Sequence, residues 1–95
     1  METIKTSSRS SDRQFKDRLR NIVKDHAGLN LSLENIEDTT DLYRAGMSSQ
    51  AGVVLMIAVE AEFALEFPDA MLSRDVFANI NAIAAAIEKV QRAEV

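Results

Sequence analysis

Apolar residues recur along this chain mostly at helical spacing. Phe15, Leu19, Ile22 and Val23 follow at steps of four, three and one, which places them on one face of a helix. Arginines, lysines and aspartates fill the opposite face. Ser11 and Gln14, ahead of the stripe, have the spacing of a capping box, and Gly28 stands where glycine ends a helix. The pattern predicts a first helix over residues 12–26. Residues 1–10 are rich in serine and threonine without apolar periodicity, and are expected to form a flexible tail.

From Leu29 to Met47 the periodicity weakens. Leu29, Leu31 and Leu33 alternate as in a strand, but the chain offers no second strand to pair with, and a lone strand is not stable. A long connection packed down by these leucines and Ile36 is the better reading. Within it, Asp41 can cap a short turn through Leu42, Tyr43, Arg44 and Ala45 that Gly46 closes. A second helix is expected from the pair Ser48 and Ser49 to about Leu65, ahead of Pro68. Val53, Val54, Leu55, Met56, Ile57, Val59 and Phe63 nearly encircle its first turns. Such a helix is either buried or offers an apolar face to a partner. Residues 69–73 can form one helical turn carrying Met71 and Leu72. Asn79 then caps a last helix, in which Ile80, Ile83, Ile87 and Val90 recur at three, four and three. The sum is an all-α bundle of three main helices and a short fourth, with a long loop between the first two.

With 95 residues, the chain is expected to form one domain, over residues 11–92, with a C-terminal tail of 93–95. It has no cysteine and one histidine, His26, which excludes a disulfide framework and leaves little for a metal site or a Ser/His relay. The net charge of −4 opposes binding to nucleic acid. No apolar run is long enough for a membrane span and no signal core is visible, so a cytoplasmic monomer is expected. Asp38 and Asp41 lack EF-hand spacing, and Glu60, Glu62 and Glu66 read as a solvated helix face. No catalytic set and no metal site can be assembled. The serine pair is different. One serine there can cap the helix by accepting an orphan N–H. Alternatively, one hydroxyl can carry a phosphodiester, whose negative charge a helix N-terminus favours. Both hold together if Ser48 caps and Ser49 is modified.

Gly46-Met47-Ser48-Ser49-Gln50, then Glu60 and Phe63, then Phe67-Pro68-Asp69 and the Ile80, Ile83, Ile87 stripe stand in an order that resembles the acyl and peptidyl carrier proteins. The likeness spans residues 12–90. Those proteins carry 4′-phosphopantetheine on a serine at the start of helix two, usually within Gly-x-Asp-Ser-Leu. The resemblance implies an acyl-carrier-like four-helix bundle without catalysis of its own. It also implies a covalent 4′-phosphopantetheine, from coenzyme A, on Ser49. The implied partners are a phosphopantetheinyl transferase, an acyl- or aminoacyl-loading ligase, and a downstream transferase or synthase. Their pathway would be a specialised one of fatty-acid, polyketide or nonribosomal-peptide type.

Ser48 replaces the usual aspartate, Gln50 replaces the usual leucine, and no acid precedes Glu60 on helix two. Fewer acids weaken electrostatic steering toward arginine-rich enzymes. These departures point to a stand-alone carrier whose partners dock on Met47, Gln50, Gly52, Val53, Val54 and Ile57. The small pair Ala51 and Gly52 would admit a partner backbone. The other reading assigns some of these valines to the core. A helical adaptor with the same fold, no prosthetic group and Ser49 as a mere cap is the alternative function.

Overall fold

Leu19 and Val23, one helical turn apart, are fully buried, and Ile22 lies beside them. They mark the inner face of helix α1, Thr3–His26, in the computed structural model. The structure describes residues 3–29 and 35–93, with the backbone alone for residues 3–13. The expected start of α1 is corrected: the helix runs back through the serine-rich segment to Thr3. No glycine or proline precedes Gly28, and serine disfavours a helix only mildly, so the Ser11–Gln14 pattern falls inside the helix. At the other end Ala27 N–H still donates to the Val23 carbonyl at 2.9 Å. Gly28 then turns the chain at φ +65°, where a side chain would be strained. His26 is exposed in the last turn.

The connection to the next helix is held by charge as much as by apolar contact. Leu31 and Leu33 lie outside the described residues; Leu29 packs against the core and Ile36 enters it. Asp38 accepts from Lys16 Nζ at 3.0 Å and from Arg20 Nη1 at 2.9 Å. Arg20 Nη2 also donates to the Ile36 carbonyl, and Lys16 also donates to Asn81 Oδ1 at 3.0 Å. Backbone bonds complete the join: Asn81 N–H donates to the Asp38 carbonyl at 3.1 Å, and Leu42 N–H to the Ala78 carbonyl at 2.7 Å. Three pieces of chain therefore meet at one residue, Asp38. Beyond it Asp41 Oδ1 accepts from Tyr43 N–H and Arg44 N–H, forming the expected turn, and Gly46 ends it at φ +119°.

Helix α2 is Ser49–Phe63 and helix α3 is Ile80–Ala93. On α2 the buried positions are Gly52, Leu55 and Val59, a stripe at three and four that faces the core. On α3 they include Ile80, Ile83, Ile87 and Val90, the stripe expected from spacing. Asn79 Oδ1 caps α3 by accepting from Ala82 N–H at 2.7 Å. The core joins these residues to Leu19, Val23, Leu42, Met47, Phe67 and Phe77. Among the described residues there is no strand.

Helix α2 ends well before Pro68, at Ala64, which takes a left-handed conformation with φ 54°. The Glu60 carbonyl accepts from both Ala64 N–H and Leu65 N–H, a helix-terminating arrangement. Glu60 Oε2 meanwhile accepts from Phe67 N–H at 2.8 Å. Glu60 is thus a fastener for the exit loop, where a solvated face was expected. Glu62 pairs with Arg18 at 2.9 Å, and Arg18 stacks on Phe63, 4.6 Å from its ring centre. These contacts bind the end of α2 to α1. The short fourth element is a pair of 3-10 turns, Asp69–Met71 and Arg74–Phe77, in place of a single turn over 69–73.

Hydrogen bonding from Lys16, and then the positive charges of Lys16 and Arg20, hold the Asp38 carboxyl below the usual carboxylate range against an opposing desolvation. The unfolded chain therefore binds the proton more readily. Stability from this carboxylate is present above about pH 4 and is lost as pH falls through the depressed folded value. Asp38→Asn is expected to lower the urea midpoint at pH 7, with the gap to the parent closing on acidification. A gap of constant size from pH 7 to pH 2 would contradict this origin.

Candidate functional site

The site begins where the loop becomes a helix. Met47 N–H donates to the Leu42 carbonyl at 3.0 Å, which closes the preceding turn and directs the chain outward. Ser48 is extended, with φ −79° and ψ 167°. Its Oγ accepts from Ala51 N–H at 3.0 Å, and its carbonyl accepts from Gly52 N–H at 2.9 Å. Ser48 is therefore the N-cap, satisfying one of the orphan donors of the first turn. Ser49 is the first residue of α2 and is exposed. No described residue hydrogen-bonds its hydroxyl.

Ser49 lies on the rim of a groove of 310 Å³ between the first turns of α2, Tyr43 and the Leu72–Phe77 segment. Val53, Met56, Leu72 and Phe77 give it apolar walls, and Tyr43, Ser73 and Arg74 give it polar ones. The first turn of α2 holds no acid, and the first carboxylate on the helix is Glu60. The positive end of the helix thus meets no competing negative charge beside Ser49. Arg74 lies over the Tyr43 ring, its Cζ 3.7 Å from the ring centre. Among the described residues no group of three or more His, Cys, Asp or Glu side chains is placed to hold a metal ion.

The residues expected at a docking face divide in two. Val53 is 53% exposed, Val54 46% and Ile57 55%, so these three lie outside the core, and Gln50 is exposed with them. Met47 is 3% exposed and its side chain belongs to the core cluster. Its side chain is packed inward, away from the exposed face formed by the other expected docking residues. Gly52 is also buried. A Cβ there would come within 3.3 Å of the Tyr43 hydroxyl and 3.7 Å of its ring. The glycine seats Tyr43 within this chain and does not admit a partner backbone.

Of the groove residues, only Ser49, Gly52 and Val53 were expected at a site from the sequence. Leu72 is 43% exposed and extends the apolar surface of α2. Tyr43 and Arg74 come from separate loops, and no spacing in the sequence couples them.

The family model described as a phosphopantetheine attachment site matches residues 17–87. An aminoacyl carrier protein of Agrobacterium fabrum is 45% identical over 65 residues, which are 68% of this chain and 78% of that protein. One similar solved structure is a chain in the crystal structure of an engineered Bradyrhizobium japonicum glycine:carrier protein ligase complexed with a carrier protein from Agrobacterium tumefaciens and ATP. It has a TM-score of 0.76 at 39% identity, covering 79% of this chain and 97% of that one. A solution structure of an Agrobacterium tumefaciens protein has a TM-score of 0.67 at 37% identity, covering 83% of this chain and 95% of that one. The family match takes in the Asp38 junction, the Ser48 cap, Ser49 and the groove beside it. With its all-α, acyl-carrier-like fold, this chain belongs to the phosphopantetheine-binding carrier protein family.

Proposed function

We propose that this chain is an aminoacyl carrier, modified on Ser49 with 4′-phosphopantetheine and loaded by an ATP-dependent amino acid ligase. The observation that carries the reading is the Ser49 hydroxyl, exposed at the start of α2 and relieved of capping by Ser48. Ser49 Oγ forms the new P–O bond with the phosphorus of coenzyme A that bears the pantetheine. The pyrophosphate linkage breaks, adenosine 3′,5′-bisphosphate leaves, and the hydroxyl proton passes to a base of the transferase. This chain has no need to activate Ser49 itself, since the transferase supplies the catalytic groups.

Ser48 fixes the first turn, so that Oγ of Ser49 projects from a rigid point. The free N–H groups and dipole of that turn favour a phosphodiester anion, and the acid-free first turn removes a repulsion. When bound, the group supplies a thiol that holds cargo as a thioester on a flexible arm, raising its effective concentration at each enzyme. The chain itself contributes attachment, orientation and a docking face, within a carrier unit over residues 11–92.

The cargo assignment draws on the relatives. The matched chain of the ligase complex is 97% covered by 79% of this one, so it is a short chain and corresponds to the carrier, not the ligase. The groove beside Ser49 is open, with polar groups from Tyr43, Ser73 and Arg74. Docking is assigned to Gln50, Val53, Val54 and Ile57, with Leu72 at the edge. An apolar face that lacks acids favours a partner held by packing more than by charge.

Co-expression with a broad-specificity phosphopantetheinyl transferase is expected to add one phosphopantetheine to the intact mass, and Ser49→Ala to abolish the gain. No gain in the parent chain would refute the carrier reading. Ser48→Ala is expected to keep the gain while lowering stability by about 1 kcal/mol in urea unfolding. Loss of modification with unchanged stability would reverse the two serine roles. Ile57→Glu is expected to reduce aminoacyl loading about tenfold or more, with helical circular dichroism retained; that factor corresponds to roughly 1.4 kcal/mol. Equal loading rates would remove Ile57 from the docking face.

A further inference from the structure

Arg74 has a position that capping, core packing and docking leave without a role. Its guanidinium lies over the ring of Tyr43, 3.7 Å from the ring centre, and it is exposed. No described carboxylate lies within salt-bridge distance of it. The stack fixes the cation without neutralising it, since an aromatic face engages the plane of a guanidinium and leaves its N–H edge free to donate. The Tyr43 hydroxyl also makes no hydrogen bond with a described residue. It lies against α2, 3.3 Å from where a Cβ of Gly52 would be.

Gly52 and Ser49 are three residues apart on α2, a spacing that places them about one turn apart on the same side of the helix. Ser49, Gly52, Tyr43 and Arg74 all line the same groove. A cation that pairs with no described carboxylate and a phenolic O–H therefore stand on the wall of the groove beside the Ser49 hydroxyl. In a chain of net charge −4, a cation without an acidic partner next to an acid-free helix start is a specific local arrangement.

We infer that Arg74, braced on Tyr43, forms a charge-assisted hydrogen bond with the phosphodiester of the arm on Ser49, with the Tyr43 hydroxyl as a second donor. This inference rests on the Ser49 assignment above. A guanidinium suits this task because its planar N–H fork matches the two free oxygens of a phosphodiester. The contact holds the first link of the arm toward the groove. It leaves the distal thiol free to reach an enzyme, and because it is exposed to solvent it releases readily and weakens in salt. Arg74 acts here as a positioning residue.

The test uses the full chain, converted to the holo form by the transferase, with intact mass recorded first. Absence of the mass gain is failure of the Ser49 assignment and is seen before any question about Arg74. With both proteins fully modified, the phosphorus-31 resonance of the parent is expected to differ in shift and to be broader than that of Arg74→Gln. Raising the salt to 1 M is expected to move the parent signal toward that of the variant. In the parent alone, the Arg74 Nε–Hε cross-peak is expected to move between the apo and holo forms. Coincident phosphorus signals in holo parent and holo Arg74→Gln, with an Arg74 cross-peak unmoved by modification, would overturn the inference.

Discussion

A connection as long as the one between α1 and α2 needs something to hold it, and here a single carboxylate does much of that work. Asp38 takes two cations from α1, while its own carbonyl takes an N–H from the start of α3. The side chains are partly exposed, and a single pair in that setting contributes little to stability. The consequence is geometric: the loop is tied at this point to α1 and to the start of α3, just before the Asp41 turn, Gly46 and Ser48 lead into α2. Everything that makes Ser49 accessible follows from where that turn is delivered.

The helices were legible because their signals are local. The stripes on α1 and α3, Gly28 at a left-handed position and the Asn79 cap each depend on residues a few positions apart. The start of α1 was misread for the same reason: Ser11 and Gln14 satisfy a local pattern, but nothing before them breaks the helix. The Ser48 cap was also legible, since a serine just ahead of a helical stretch is the residue type that accepts an orphan N–H. Other features depend on approaches between distant segments. Met47 points inward because of the backbone path after Gly46, and Gly52 is small because of Tyr43. Arg74 finds Tyr43 only after the two 3-10 turns have brought their segment alongside α2. Periodicity cannot report contacts of that kind.

The electrostatics of the site follow from one omission. Without an acid at position 48 or in the first turn of α2, the field at Ser49 is set by the helix terminus and by nearby cations. The same absence removes the charges that would steer a basic enzyme toward this face, and it exposes valine and isoleucine in their place. An acid-free helix start at Ser49 and an exposed apolar face beside it are therefore two results of one compositional choice. The far end of α2 is treated differently: Glu60 and Glu62 are used up in holding the exit loop and α1.

The missing side chain at Gly52 ties together positions that lie far apart in the chain. A Cβ there would sit 3.3 Å from the Tyr43 hydroxyl, which would have to give by a few tenths of an ångström, and Arg74 rests on that same ring. Glycine 52, tyrosine 43 and arginine 74 thus form a dependent set, in which a change at the first alters what the other two can contribute. Substitutions at these three sites are not independent in their effects, because neighbours that share a contact do not combine additively. Bulk at the fourth position of the helix is thus felt first by the Tyr43 hydroxyl and, through its ring, by the arginine that lies over it.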